Sequence, residues 1–252
     1  MTTTLLPSDT PEPFLISFSG MDGAGKSTQI QILCADLAAA GVPVLQLAFW
    51  DHVAAFARMR ANFSIKFLKS DGRVGTPTQP VRRNDKNASA WYLVVARTFL
   101  YSVDAMMLRR IIRRTQKRFA GVIIFDRYIY DQLATLPLER SWARAYARMI
   151  LKVVPRPDLP FVLDAVPEEA RGRKPEYPLE FMHRYRAAYV RLSTLAGLIL
   201  IDPLSQEATS DAVTGCLRSA PGSSELKSLE KFEPQKDDAG LLATLSENSR
   251  GT

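Results

Sequence analysis

The segment Gly20-Met21-Asp22-Gly23-Ala24-Gly25-Lys26-Ser27-Thr28 fits the pattern G-x-x-x-x-G-K-[ST]. Glycines at these spacings let a backbone wrap closely around phosphate, with its N–H groups turned inward and a helix N-terminus adding positive potential. On this reading Gly20, Gly23, Ala24, Gly25, Lys26, Ser27 and Thr28 form a phosphate cradle. Lys26 addresses the β- and γ-phosphates of a nucleoside triphosphate, and the Ser27 hydroxyl ligates magnesium. The context fits as well, because FLISF before the loop reads as a buried strand and TQIQILCADLAAA after it reads as a helix.

Two further clusters could act on the same ligand. Phe125-Asp126-Arg127-Tyr128 stands at the end of an apolar run, where ligands of open α/β sheets bind. There Asp126 could hold magnesium through water, and Arg127 could clamp a phosphate oxygen with its planar fork. Glu168-Glu169-Ala170-Arg171-Gly172-Arg173-Lys174 follows Pro167, a good helix start, and carries its cations one turn later. This is a candidate basic lid: arginines on a closing segment stabilise charge on a transferring phosphoryl group and exclude water. A charged, exposed helix end is the alternative.

The elements that must position these residues alternate. Apolar runs at Phe14–Ser19, Val44–Phe49, Gly121–Phe125, Pro160–Leu163 and Leu198–Ile201 read as buried parallel strands. Helical patterns cover Lys26–Ala40, Ala88–Phe119 and Pro178–Leu195, so the chain reads as a doubly wound α/β sheet. The first helix places Ile30, Leu33, Cys34 and Leu37 on one face and stops at Gly41. The third carries Phe181, Met182, Tyr185, Tyr189 and Leu192 as a core stripe. Between the second strand and the long helix lies a Gly-, Pro- and charge-rich insertion, with Arg82, Arg83 and Lys86. The division is an N-terminal segment 1–12, a catalytic body 13–220 and a polar tail 221–252.

Composition narrows the class. At 252 residues, 46% hydrophobic and 23% charged, the chain reads as one soluble globular body, neither wholly disordered nor membrane-spanning. The N-terminus lacks the basic start and apolar core of a signal peptide, so a cytoplasmic location is the expectation. Cys34 and Cys216 are the only cysteines, far apart, which argues against a disulfide framework or a zinc site and for buried, inert thiols. His52 and His183 are equally isolated. The net charge of +7 is concentrated in part between Arg109 and Arg118, where six of ten residues are basic. A solvated helix end accounts for them, with a docking surface as the alternative.

FSGMDGAGKSTQ, FDRYIYD, the helix with Ala96-Arg97, and LDAVPEEARGRKPEY, in this order, resemble thymidylate kinases across roughly residues 13 to 215. The resemblance implies a P-loop NTPase fold: five parallel strands, helices on both faces and a basic lid. It implies ATP and Mg2+ as cofactors, and transfer of the γ-phosphoryl group to thymidine monophosphate or a similar nucleoside monophosphate. Asp22 would contact the acceptor's sugar hydroxyl, Arg127 its phosphate and Arg97 its base. Gly23 follows the loop aspartate where some members place an arginine, so the catalytic arginine would come from the lid, as Arg171 or Arg173. Leu93 stands where the family has a stacking phenylalanine, and the insertion is long, which leaves the acceptor's base open. The resemblance also implies a homodimer and no stable nucleic-acid partner. Kinases of another small acceptor and a slow nucleotide-hydrolysing switch are the competing functions.

Overall fold

The computed structural model describes residues 13–53, 91–175 and 177–221. The expectations for segments 1–12 and 222–252, for the insertion with Arg82, Arg83 and Lys86, and for the side chain of Leu93 lie outside them. In chain order the elements are β1 (Phe14–Ser19), α1 (Lys26–Ala39), β2 (Val44–Ala48), α2 (Phe49–His52), α3 (Trp91–Gln116), β3 (Val122–Asp126) and α4 (Ile129–Leu133). They continue as α5 (Ser141–Val153), β4 (Leu159–Leu163), α6 (Pro167–Arg173), α7 (Leu179–Ala196), β5 (Ile199–Ile201) and α8 (Gln206–Ser219).

All five strands pair in parallel, in the order β2-β3-β1-β4-β5. Parallel strands covered on both faces carry continuous apolar runs, and all six residues of β1 are buried. Alternation along the strands then divides the core in two. Phe14, Ile16, Phe18, Val122 and Ile124 pack with Ile30, Leu33 and Leu37 of α1 and Val213 of α8. Leu15, Ile123 and Phe125 face the other way, toward Leu108 and Ile112 of α3, Ile150 of α5 and Leu192 of α7.

The five expected strands are present, β1 with the expected bounds and the other four with one or both ends shifted by a residue. Phe49 begins α2 instead of ending β2, and Asp126 completes β3. The long helix spans Trp91–Gln116 instead of reaching Phe119, because Arg118 and Phe119 both donate their N–H groups to the Thr115 carbonyl in a closing turn. Arg110, Arg113, Arg114 and Lys117 at its end are exposed. The cysteines differ from expectation: both are half-buried, and burial pushes the Cys34 thiol up.

Phe18 of β1 pairs in register with Asp126 of β3, and Ser19 with Val162 of β4. The turns leaving the carboxyl ends of these three strands are therefore neighbours.

Candidate active site

The glycine-rich loop begins where β1 ends and closes into α1, whose first residue is Lys26. Gly20 has φ 136°, and a Cβ there would lie 2.5 Å from the Leu163 carbonyl oxygen of β4. Gly23 has φ 86°, and a Cβ there would lie 2.4 Å from the Ala170 carbonyl oxygen of α6. Both are distances no side chain tolerates, so the loop is pressed against β4 on one side and α6 on the other. Lys26 is buried, and its Nζ donates to the Gly20 and Met21 carbonyls, each at 2.8 Å. Burial, then the nearby Arg127 charge, push its ammonium down to about 8, while Asp131, Asp22 and Asp126 act in the opposite direction. A buried cation of this kind is a good partner for anionic phosphate, which would restore the counter-charge that water no longer supplies.

The turn after β3 carries Asp126 and Arg127. Arg127 is a non-glycine residue at positive φ, 69°, and its N–H donates to the Phe18 carbonyl of β1 at 2.9 Å. Its guanidinium pairs through Nη2 with Asp22 of the glycine-rich loop and through Nη1 with Asp131 Oδ1 at 3.2 Å. Burial works against this cation, but Asp131 and Asp22 outweigh it, so the charge is held more firmly than in free arginine. Asp131 in turn accepts from Ser19 Oγ at 2.6 Å, Tyr189 OH at 2.8 Å and the Tyr128 N–H at 3.1 Å. Burial, followed by Asp131, keeps the Tyr189 phenol well above its usual range, so it serves as a neutral donor.

A cavity of about 520 Å³ brings most of the expected residues together. It is lined by Asp22 to Gln29, Asp126 and Arg127, with Arg173 and Lys174 from the end of α6 and Gln206 and Thr209 from α8. Ser27 and Thr28 are exposed to it. Arg173 reaches this lining and Arg171 does not; the Arg173 guanidinium rests 3.9 Å from Glu169. An adjoining cavity of about 310 Å³ lies between Ala165, Val166, Glu169 and Arg173 on one side and Asp202 to Ser205 on the other. At its edge Asp164 is gripped by Arg186 of α7, with Nε 2.8 Å from Oδ1 and Nη2 2.5 Å from Oδ2.

No family model matches the chain. Among solved structures it is similar to thymidylate kinase from Ehrlichia chaffeensis, at 16% identity and a TM-score of 0.52, over 82% of this chain and 99% of that one. It is similar also to thymidylate kinase from Candida albicans, at 17% identity and a TM-score of 0.56, over 89% of this chain and 96% of that one. The chain has their P-loop NTPase fold.

Of the predicted site residues, Gly20 and Arg171 lie outside the lining of the larger cavity, and Arg97 stands apart from it altogether. It lines a separate cavity of about 240 Å³ between α3 and α7, with Val94, Thr135, Arg140, Phe181 and Arg184. Sequence reasoning read Tyr189 as core alone and gave no site role to Asp131, Ser19, Gln206 or Thr209. Asp131 had one local signal: at the third position of α4 its carboxylate reaches back to the Tyr128 N–H, an acidic N-terminal arrangement that sequence can suggest.

Proposed function

We propose that the chain is an ATP-dependent nucleoside monophosphate kinase acting on thymidine monophosphate or a similar nucleotide. The observation that carries this reading is the single cavity shared by the glycine-rich loop, Asp126, Arg127 and Arg173. Gly20, Gly23, Ala24, Gly25 and Thr28 cradle the donor phosphates, all but Gly20 from the cavity wall itself, and Lys26 neutralises their charge. The hydroxyl of Ser27 and the carboxylate of Asp126 line one cavity and are the hard oxygen donors that magnesium accepts alongside phosphate and water. When bound, magnesium neutralises charge on the phosphate oxygens. The adjoining cavity of about 310 Å³ has the size for the nucleoside part of ATP.

On the acceptor side Arg127 holds the phosphate and Asp22 the sugar hydroxyl, and Arg97 addresses the base. Arg173 supports the transferring group from the lid, ahead of Arg171, because it lies on the cavity wall. Catalysis on this reading is positioning and electrostatic stabilisation, as phosphoryl transfer requires. The Candida albicans kinase is described as having broad substrate specificity, so acceptors beyond thymidine monophosphate belong to the same reading. The reading extends to a cytoplasmic, homodimeric enzyme of nucleotide biosynthesis; among the described residues no helix is long and apolar enough to cross a membrane.

The test is coupled ATP consumption with a panel of nucleoside monophosphates and nucleosides. Turnover stimulated by one or more monophosphates is the expected result. Stimulation by nucleosides alone would reassign the acceptor, and slow turnover that no acceptor stimulates would indicate a hydrolysing switch.

A further inference from the structure

Asp131 is 2% exposed, and each oxygen of its carboxylate has two donors. Ser19 and the Tyr128 N–H occupy Oδ2, while Tyr189 and Arg127 occupy Oδ1. Four donors fill the acceptor capacity of a carboxylate. Its position is further fixed by Tyr185, whose hydroxyl donates to the Asp131 backbone carbonyl at 2.9 Å. Three of these donors come from elements other than its own helix: Ser19 from β1, Tyr185 and Tyr189 from α7. An anion held this way cannot swing aside when its surroundings change.

Arg127 is held differently on its two sides. On Nη2 it meets Asp22, which belongs to the glycine-rich loop and lines the cavity. On Nη1 it meets Asp131, behind it and outside that lining. A phosphate entering the cavity carries the same sign as Asp22 and competes with it for the open edge of the guanidinium, while the Asp131 edge stays engaged. We propose that Asp131 is a positioning residue, a fixed counter-charge that holds Arg127 in place whether its outer edge faces Asp22 or an acceptor phosphate. This rests on the reading of Arg127 as the acceptor-phosphate clamp. The positive φ of Arg127 fits the same role, since a strained backbone persists only where surrounding contacts over-determine it.

A carboxylate so placed also stitches β1, α4 and α7 together, and a purely structural role must be separated from positioning. The decisive variant is Asp131→Asn, which keeps size and removes charge, studied after circular dichroism establishes its native state. Steady-state kinetics should show the acceptor KM raised roughly tenfold or more with kcat reduced, and the ATP KM within about threefold of wild type. In an Arg127→Ala background the same substitution should add less than about threefold, because the group it positions is already gone. Effects that multiply in the double variant, or equal shifts in both KM values, would overturn the proposal.

Asp131→Glu serves if the asparagine variant does not fold; it keeps the charge one methylene out of place and should show the same selective change at smaller size. A wild type without acceptor-stimulated turnover would defeat the functional reading, and a second measurement then decides this one. Phenylglyoxal modification of Arg127, followed by peptide mass spectrometry, should proceed several-fold faster in Asp131→Asn than in wild type. An unchanged rate would sink it.

Discussion

The turn after β1 and the turn after β3 lie side by side, with Phe18 and Asp126 in register, and both supply groups to one cavity. The first is made of backbone: Gly20, Gly23 and Gly25 all have positive φ, and two of them have no room for a side chain. The second contains no glycine between Phe125 and Ile129. Its one left-handed residue is Arg127, held by the Phe18 carbonyl, Asp22 and Asp131. One turn gets its shape from what is missing at Cβ, the other from charges arranged around a strained residue. A phosphate site can be built either way, and each way leaves a different vulnerability.

Substitutions can break each turn separately. The largest effect belongs to Lys26→Ala, which removes the cation without adding bulk to the loop; phosphoryl transfer should fall on the order of a hundred- to a thousandfold in a variant that still folds. Turnover of the purified variant measures it. Gly23→Ala attacks the backbone itself, forcing a Cβ to within 2.4 Å of the Ala170 carbonyl at a φ of 86°. Urea denaturation should show a loss of about 2 kcal/mol, from overpacking and from the conformation together.

The second turn responds to smaller changes. Arg127→Gly and Arg127→Ala both remove the guanidinium, but only glycine is at ease at φ 69°. The glycine variant should be the more stable of the two by about 1 kcal/mol in the same denaturation experiment. A reversed order would show that the left-handed backbone is lost with the side chain, so that the arginine's own contacts, rather than its surroundings, set it.

The smallest effect concerns protons. With Lys26 held down to about 8 against an ordinary 10.5, the folded chain releases this proton before the unfolded chain does. Between these values the unfolded state binds more protons, so this residue's contribution to stability rises with pH across the window. At neutral pH the buried charge is destabilising, and it is relieved above pH 8. Activity runs the other way: kcat/KM for ATP should drop roughly fivefold between pH 8 and 9 as the ammonium is lost. Lys26→Arg should flatten that limb, since a guanidinium keeps its charge there.

The same contrast explains what could be read from the sequence. The glycine-rich loop is a local spacing pattern, so its residues, its strand and its helix were legible together. Asp131 was not, because its partners Ser19 and Tyr189 lie 112 and 58 residues away in the chain. The aromatic stripe on α7 read as core, and Tyr185 and Tyr189 are indeed buried, but their hydroxyls point to Asp131. Helix α5 went unread although its polar and apolar faces are well separated, whereas α8 buries only Thr209 and Val213. Small core faces weaken a periodic signal. Arg97 was placed correctly on the long helix, yet periodicity could not tell which cavity it borders.

Helix α7 carries a mechanical consequence. Tyr185, Arg186 and Tyr189 leave it within a little more than one turn, and they reach opposite ends of the site. The tyrosines grip Asp131 behind the arginine turn, and Arg186 grips Asp164, three residues before α6 begins. The helix is thus a strut braced against both the approach to α6 and the carboxylate behind Arg127. If α6 swings as a rigid piece, its pivot lies beyond Asp164, and the load returns along α7 to the carboxylate that steadies Arg127.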